Sequence, residues 1–94
     1  MKFDKEFYEM NARELRTACA NIIEWGFGFK PKASDIVLCE TESRFYRSVT
    51  FMVKGNTYWY TPCSAFYTEQ LYFYPNEEAI NGVLVKEAPY QATE

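Results

Sequence analysis

Gly55-Asn56 separates two runs rich in β-branched and aromatic residues, Phe45 to Lys54 and Thr57 to Thr61. Glycine followed by asparagine between such runs reads as a two-residue hairpin turn of type II′, with Gly first. This register sets Lys54 opposite Thr57, Val53 opposite Tyr58, Met52 opposite Trp59 and Phe51 opposite Tyr60. Successive side chains on a strand point to opposite faces. One face then carries Val49, Phe51, Val53, Tyr58 and Tyr60, which is apolar enough for a core. The other carries Tyr46, Ser48, Thr50, Met52, Lys54, Thr57, Trp59 and Thr61, a mixed face with aromatic cover.

A hairpin needs something to bury its apolar face against, and the N-terminal third supplies it. Asn11-Ala12-Arg13-Glu14 has the form of a capping box, with Asn11 as N-cap and Glu14 at the third helical position. Met10 and Leu15 stand where a hydrophobic staple forms. Leu15, Ala18, Cys19 and Ile22 then repeat at helical spacing as one apolar stripe. The spacing predicts a helix over 12–25, with Gly26 as its left-handed C-terminal residue and Gly28 and Pro31 beyond it. Asp4 is placed to cap a preceding turn running to Met10, either separate from the helix or fused with it into one bent helix.

Further strands are predicted over 35–41, 45–54, 57–61, 70–74 and 83–86. A turn is read at Glu42-Ser43. Pro62 ends its strand, because proline cannot donate to a ladder. Residues 63–69 carry no clear pattern. Asn76 to Ile80 reads as a capped helical turn closed by Asn81-Gly82, and the residues after Pro89 as a terminal tail. The fold class that follows is α+β: one domain over 1–94, with an amphipathic helix packed on a three- to five-stranded antiparallel sheet.

Composition matters at one point. The 94 residues include 8 Tyr, 8 Phe and 2 Trp, 19% aromatic, and no His. At about 150–250 Å² per ring these carry on the order of 3,600 Å², against roughly 10,000 Å² buried by a chain of this mass. Area alone would let every ring be internal. Eight phenol hydroxyls would then each need a partner, so several Tyr rings are expected at the surface.

The absence of His removes the commonest general base. Among the carboxylate pairs, Glu40 and Glu42 are the one worth testing, since a strand would point both the same way. A carboxylate-dependent enzyme built on them is the weakest of three readings, because 94 residues rarely supply the cleft it needs. Gly26-x-Gly28 follows a helix and lacks a third glycine, so it is no dinucleotide fingerprint. Cys19, Cys39 and Cys63 form no paired motif and read as reduced, mostly buried thiols. No metal site, cofactor or catalytic residue is predicted.

Net charge is −3. That balance offers no basic stripe for duplex nucleic acid. MKFDKEFYEM is acidic and has no apolar run, so it does not read as a signal peptide, and no stretch reaches the length of a membrane span. The expected compartment is the cytoplasm.

Two binding readings remain. In the first, Tyr46, Trp59, Tyr67, Tyr72 and Tyr74 form an aromatic-rich surface for a protein partner, since Tyr, Trp and Arg dominate interface hot spots. Size and composition fit the form of many small phage or mobile-element inhibitors of host proteins. A Tyr-rich edge strand would also allow a homodimer. In the second, Arg44 and Arg47 join Tyr46 and Trp59 to stack a nucleotide or single-stranded nucleic acid.

Overall fold

The computed structural model describes residues 1–39, 48–63, 68–75 and 82–88. They form one helix, α1 (Ala12–Phe27), and five strands, β1 (Ile36–Leu38), β2 (Val49–Val53), β3 (Asn56–Thr61), β4 (Glu69–Tyr74) and β5 (Val83–Ala88). All strand pairs are antiparallel and the spatial order is β1-β2-β3-β4-β5, a meander with α1 across one face. This is the α+β arrangement expected.

α1 starts where its cap dictates. Asn11 Oδ1 accepts from the Glu14 N–H at 2.8 Å, and Glu14 Oε1 accepts from the Asn11 N–H at 3.1 Å. The stripe Leu15, Ala18, Cys19 and Ile22 is buried, joined by Ala20 and Ile23. Sealing side chains such as Leu15 and Ile22 contributes roughly 1.5–3 kcal/mol each. Ahead of α1 a 3-10 turn spans Phe7–Glu9 with Glu6, not Asp4, in the N-cap position. Phe7 from this turn is buried beside Tyr60.

The helix ends later than its composition suggests. Gly26 lies inside it, and Gly28 takes the left-handed conformation, φ 85°, its N–H donating to the Glu24 carbonyl at 2.9 Å. Gly26 is required for a different reason. A Cβ there would stand 2.3 Å from Leu71 Cδ2, so a side chain at position 26 fits only if the buried Leu71 side chain moves.

The hairpin register is also corrected. Val53 pairs with Asn56, Met52 with Thr57, Phe51 with Tyr58, Thr50 with Trp59 and Val49 with Tyr60. The turn is Lys54-Gly55, both at positive φ (51° and 82°), as a type I′ turn demands. The slip is two residues, and strands alternate with period two, so the assignment of faces survives. Val49, Phe51, Val53, Tyr58 and Tyr60 are all buried with the helix stripe, together with Ile36 and Leu71. Ser48, expected on the solvated face, is buried.

β1 begins at Ile36 and not at 35, because Asp35 belongs to a 3-10 turn, Ala33–Asp35, and residues 40–41 of the expected strand lie outside the described residues. β4 gains Glu69 and β5 continues to Ala88. The Tyr-rich strand β4 is internal, covered by β3 and β5. Contrary to expectation, this Tyr-rich strand is not an edge of the sheet. The turn at Glu42-Ser43, the first residues of the 45–54 strand, the helical turn at 76–80 and the tail after Pro89 lie outside the described residues.

Candidate functional site

The helix covers one face of the sheet, and the pairing register assembles three cross-strand rows on the other. The first runs Val37, Met52, Thr57, Tyr74; the second Thr50, Trp59, Tyr72, Leu84; the third Thr61, Gln70, Glu87. Directly opposed side chains are the closest neighbours in an antiparallel sheet. Trp59 and Tyr72 exploit this, their ring centroids 5.6 Å apart at 52°. Met52, Trp59, Tyr72 and Tyr74 are half-buried, while Val37 and Leu84 are 58% and 46% exposed.

Tyr74 is held by a glycine. A Cβ at Gly82 would come within 2.9 Å of Tyr74 Cζ and 3.1 Å of Tyr72 Cβ. The Tyr74 ring thus occupies the space that a side chain at position 82 would need, an aromatic laid over a cross-strand glycine.

The third row is polar. Glu87 Oε2 accepts from Gln70 Nε2 at 2.7 Å and from Thr68 Oγ1 at 2.8 Å. These hydrogen bonds, Gln70 first, hold its carboxyl below the usual carboxylate range. Glu87 is the one charged residue in the three rows.

Among the described residues neither sheet edge invites strand addition. β1 has three residues. β5 is interrupted by a register shift opposite Leu71 and Tyr72, and its Lys86 donates to the Trp25 carbonyl at 2.9 Å while lying 4.9 Å from the Trp25 ring centroid. Short strands, bulges and lysines are the usual ways of blunting an edge.

A second polar cluster lies on the helix side, at the far end of β3 and β4. The Tyr60 hydroxyl donates to Glu69 Oε2, and both side chains are buried. The Met1 ammonium reaches both Glu69 oxygens, at 2.9 and 2.8 Å. Burial first, and the Glu69 hydrogen bond and charge next, push the Tyr60 phenol far above the ordinary tyrosine value. Nearby, a shallow cavity of about 320 Å³ is lined by Phe3, Lys5, Glu6, Phe7, Pro62 and Cys63. The Glu69 carboxylate is already satisfied inside the fold, so this cluster is structural.

Of the residues singled out from the sequence, Trp59, Tyr72 and Tyr74 come together on the open face. Tyr46, Tyr67, Arg44, Arg47, Glu40 and Glu42 lie outside the described residues. Sequence reasoning passed over Val37, Leu84 and Glu87 as members of this face, and Glu69 as an internal carboxylate. Extending the 70–74 strand by one residue would have put Glu69 in phase with Leu71 and Phe73, and so inside. Cys19 is buried, Cys39 and Cys63 are half-buried, and none of the three is in a disulfide. Burial pushes the Cys39 thiol up. Among the described residues no group of three or more Cys, Asp or Glu could hold a metal ion, and no helix is long and apolar enough to cross a membrane.

No family model, no curated protein and no solved structure matches this chain.

Proposed function

We propose that this chain is a non-catalytic binding module that docks a protein partner on the helix-free face of its sheet. The observation that carries this reading is the Trp59–Tyr72 pair, half-buried at the centre of that face while the core fills from the opposite one. Trp and Tyr supply large rigid contact area at low entropic cost. Tyr74, Met52 and Leu84 extend the patch, and the blunted edges favour face docking over strand addition. Three cysteines that form no disulfide fit a reducing compartment such as the cytoplasm. Small size and a partner-dedicated face suit an inhibitor or adaptor, of the kind phages and mobile elements direct at host proteins.

Nucleotide or single-strand binding has less support from the described residues of this face, because the one charge in their rows is the Glu87 carboxylate, which repels phosphate.

The test is affinity capture from the native cell with wild type and with Trp59→Ala, followed by mass spectrometry and a thermal melt of each protein. A partner held by wild type and lost by the variant, at little changed melting temperature, supports the docking face. Equal capture by both, or an unfolded variant, refutes it.

A further inference from the structure

Resting on that docking face, we infer that the surface it recognises on the partner is basic and apolar together: an arginine or lysine seated on Glu87 beside apolar residues lying on Tyr72, Trp59 and Leu84. Glu87 is exposed, and Gln70 and Thr68 fix its carboxylate through two bonds that both land on Oε2. Both donors are neutral. The bonds orient the charge without cancelling it, and a carboxylate has further lone pairs to offer.

Position supplies the rest. Glu87 stands opposite Gln70, and Gln70 is two residues before Tyr72 on the same face of β4. That spacing is roughly 7 Å along a strand. An arginine with its guanidinium on Glu87 lays its aliphatic stem toward the Tyr72 ring, where stem packing and a cation–ring contact are both available. Leu84, opposite Tyr72, and Trp59 on its other side receive apolar neighbours of that cation. The chain's net charge of −3 draws the same class of partner over longer range. Phosphate-bearing and acidic surfaces meet repulsion at the same point.

The experiment titrates isotope-labelled protein with two blocked tetrapeptides, Arg-Leu-Arg-Leu and Glu-Leu-Glu-Leu, and follows the Trp59 indole and Gln70 side-chain amide resonances. The basic peptide is expected to shift both saturably and the acidic one neither. Glu87→Gln should weaken the basic peptide by about three- to fivefold, the scale of an exposed ion pair. Raising ionic strength from roughly 0.05 to 0.3 M should weaken wild type by a similar factor. Equal response to the acidic peptide, an unchanged affinity in Glu87→Gln, or no response to either peptide overturns the inference. If Trp59→Ala abolishes binding while Glu87→Gln does not, the docking face stands and the basic partner falls.

Discussion

The Tyr60 hydroxyl donates to Glu69 from the adjacent strand, and both side chains are buried. Tyr60 lies opposite Leu71, two residues beyond Glu69, so the pair spans a diagonal of the β3–β4 ladder on the core side. A buried carboxylate is tolerated only when its lone pairs are filled, and Glu69 is filled from two directions, by the phenol and by the Met1 ammonium. Around them Phe3, Phe7 and Trp25 each stand 6.0 Å or less from a ring of this cluster, edge to face. Replacing Tyr60 with Phe keeps those ring contacts and removes one donor. Urea denaturation is expected to show a loss of about 1–3 kcal/mol, the cost of leaving a buried acceptor short of a partner. An unchanged midpoint would mean that water fills the place of the hydroxyl.

The same phenol sets an alkaline limit on stability. In the folded chain Tyr60 holds its proton to higher pH than in the unfolded chain, because burial and the Glu69 charge oppose the phenolate. Unfolding therefore releases a proton once the pH passes the ordinary tyrosine value of about 10. The stabilisation is whole below that pH and is lost as pH rises above it, by at most about 1.4 kcal/mol per pH unit for one group. Burial raises Tyr58 in the same direction. Denaturation free energies measured from pH 8 to 12 should fall beyond pH 10, and Tyr60→Phe should flatten that fall without abolishing it.

The hairpin turn carries an avoidable strain. Lys54 sits at φ 51°, where a side chain with a Cβ costs roughly 1–2 kcal/mol, while Gly55 at φ 82° pays nothing. Asparagine tolerates this region far better, and Asn-Gly is the favoured pair for a type I′ turn. Lys54→Asn is expected to raise the melting temperature by a few degrees, since about 1 kcal/mol corresponds to roughly 4–8 °C in a domain of this size. Gly55→Ala should lower it. Opposite signs for the two substitutions distinguish a turn at 54–55 from one at 55–56, where Lys54→Asn would change little.

The parts of this fold legible in the sequence are those that local rules decide. The Asn11–Glu14 box and the stripe from Leu15 to Ile22 need only neighbours three and four residues away, and both are present. The sorting of Phe51, Tyr58 and Tyr60 to the core depends on parity alone, so it withstood a wrong register. What local rules do not decide is which strand lies beside which. The Tyr-rich segment 70–74 looks like an edge until β5 is placed against it. Trp59, Tyr72 and Tyr74 were recognisable by residue type, whereas Leu84, Val37 and Glu87 join their face only through pairings between distant segments. Gly26 was misread for the same reason: its neighbour in space, Leu71, is far away in the chain.

That neighbour makes Gly26 a point where two effects of opposite sign can be weighed. Alanine within a helix is favoured over glycine by about 1 kcal/mol, so on local grounds Gly26→Ala stabilises. The new Cβ would meet Leu71 Cδ2 at 2.3 Å, and Leu71 is completely buried. Overpacking of this kind costs about 1–3 kcal/mol. Leu71 has little room to turn away, with Val85 close by on the same side of Gly26, so packing is expected to win and Gly26→Ala to destabilise by about 1 kcal/mol. Leu71→Val shortens the obstructing side chain, and in that background Gly26→Ala should become neutral or stabilising. Chemical denaturation of the two single variants and the double variant reads the coupling directly. If the effects of the two substitutions simply add, the glycine is not there to let helix and sheet approach.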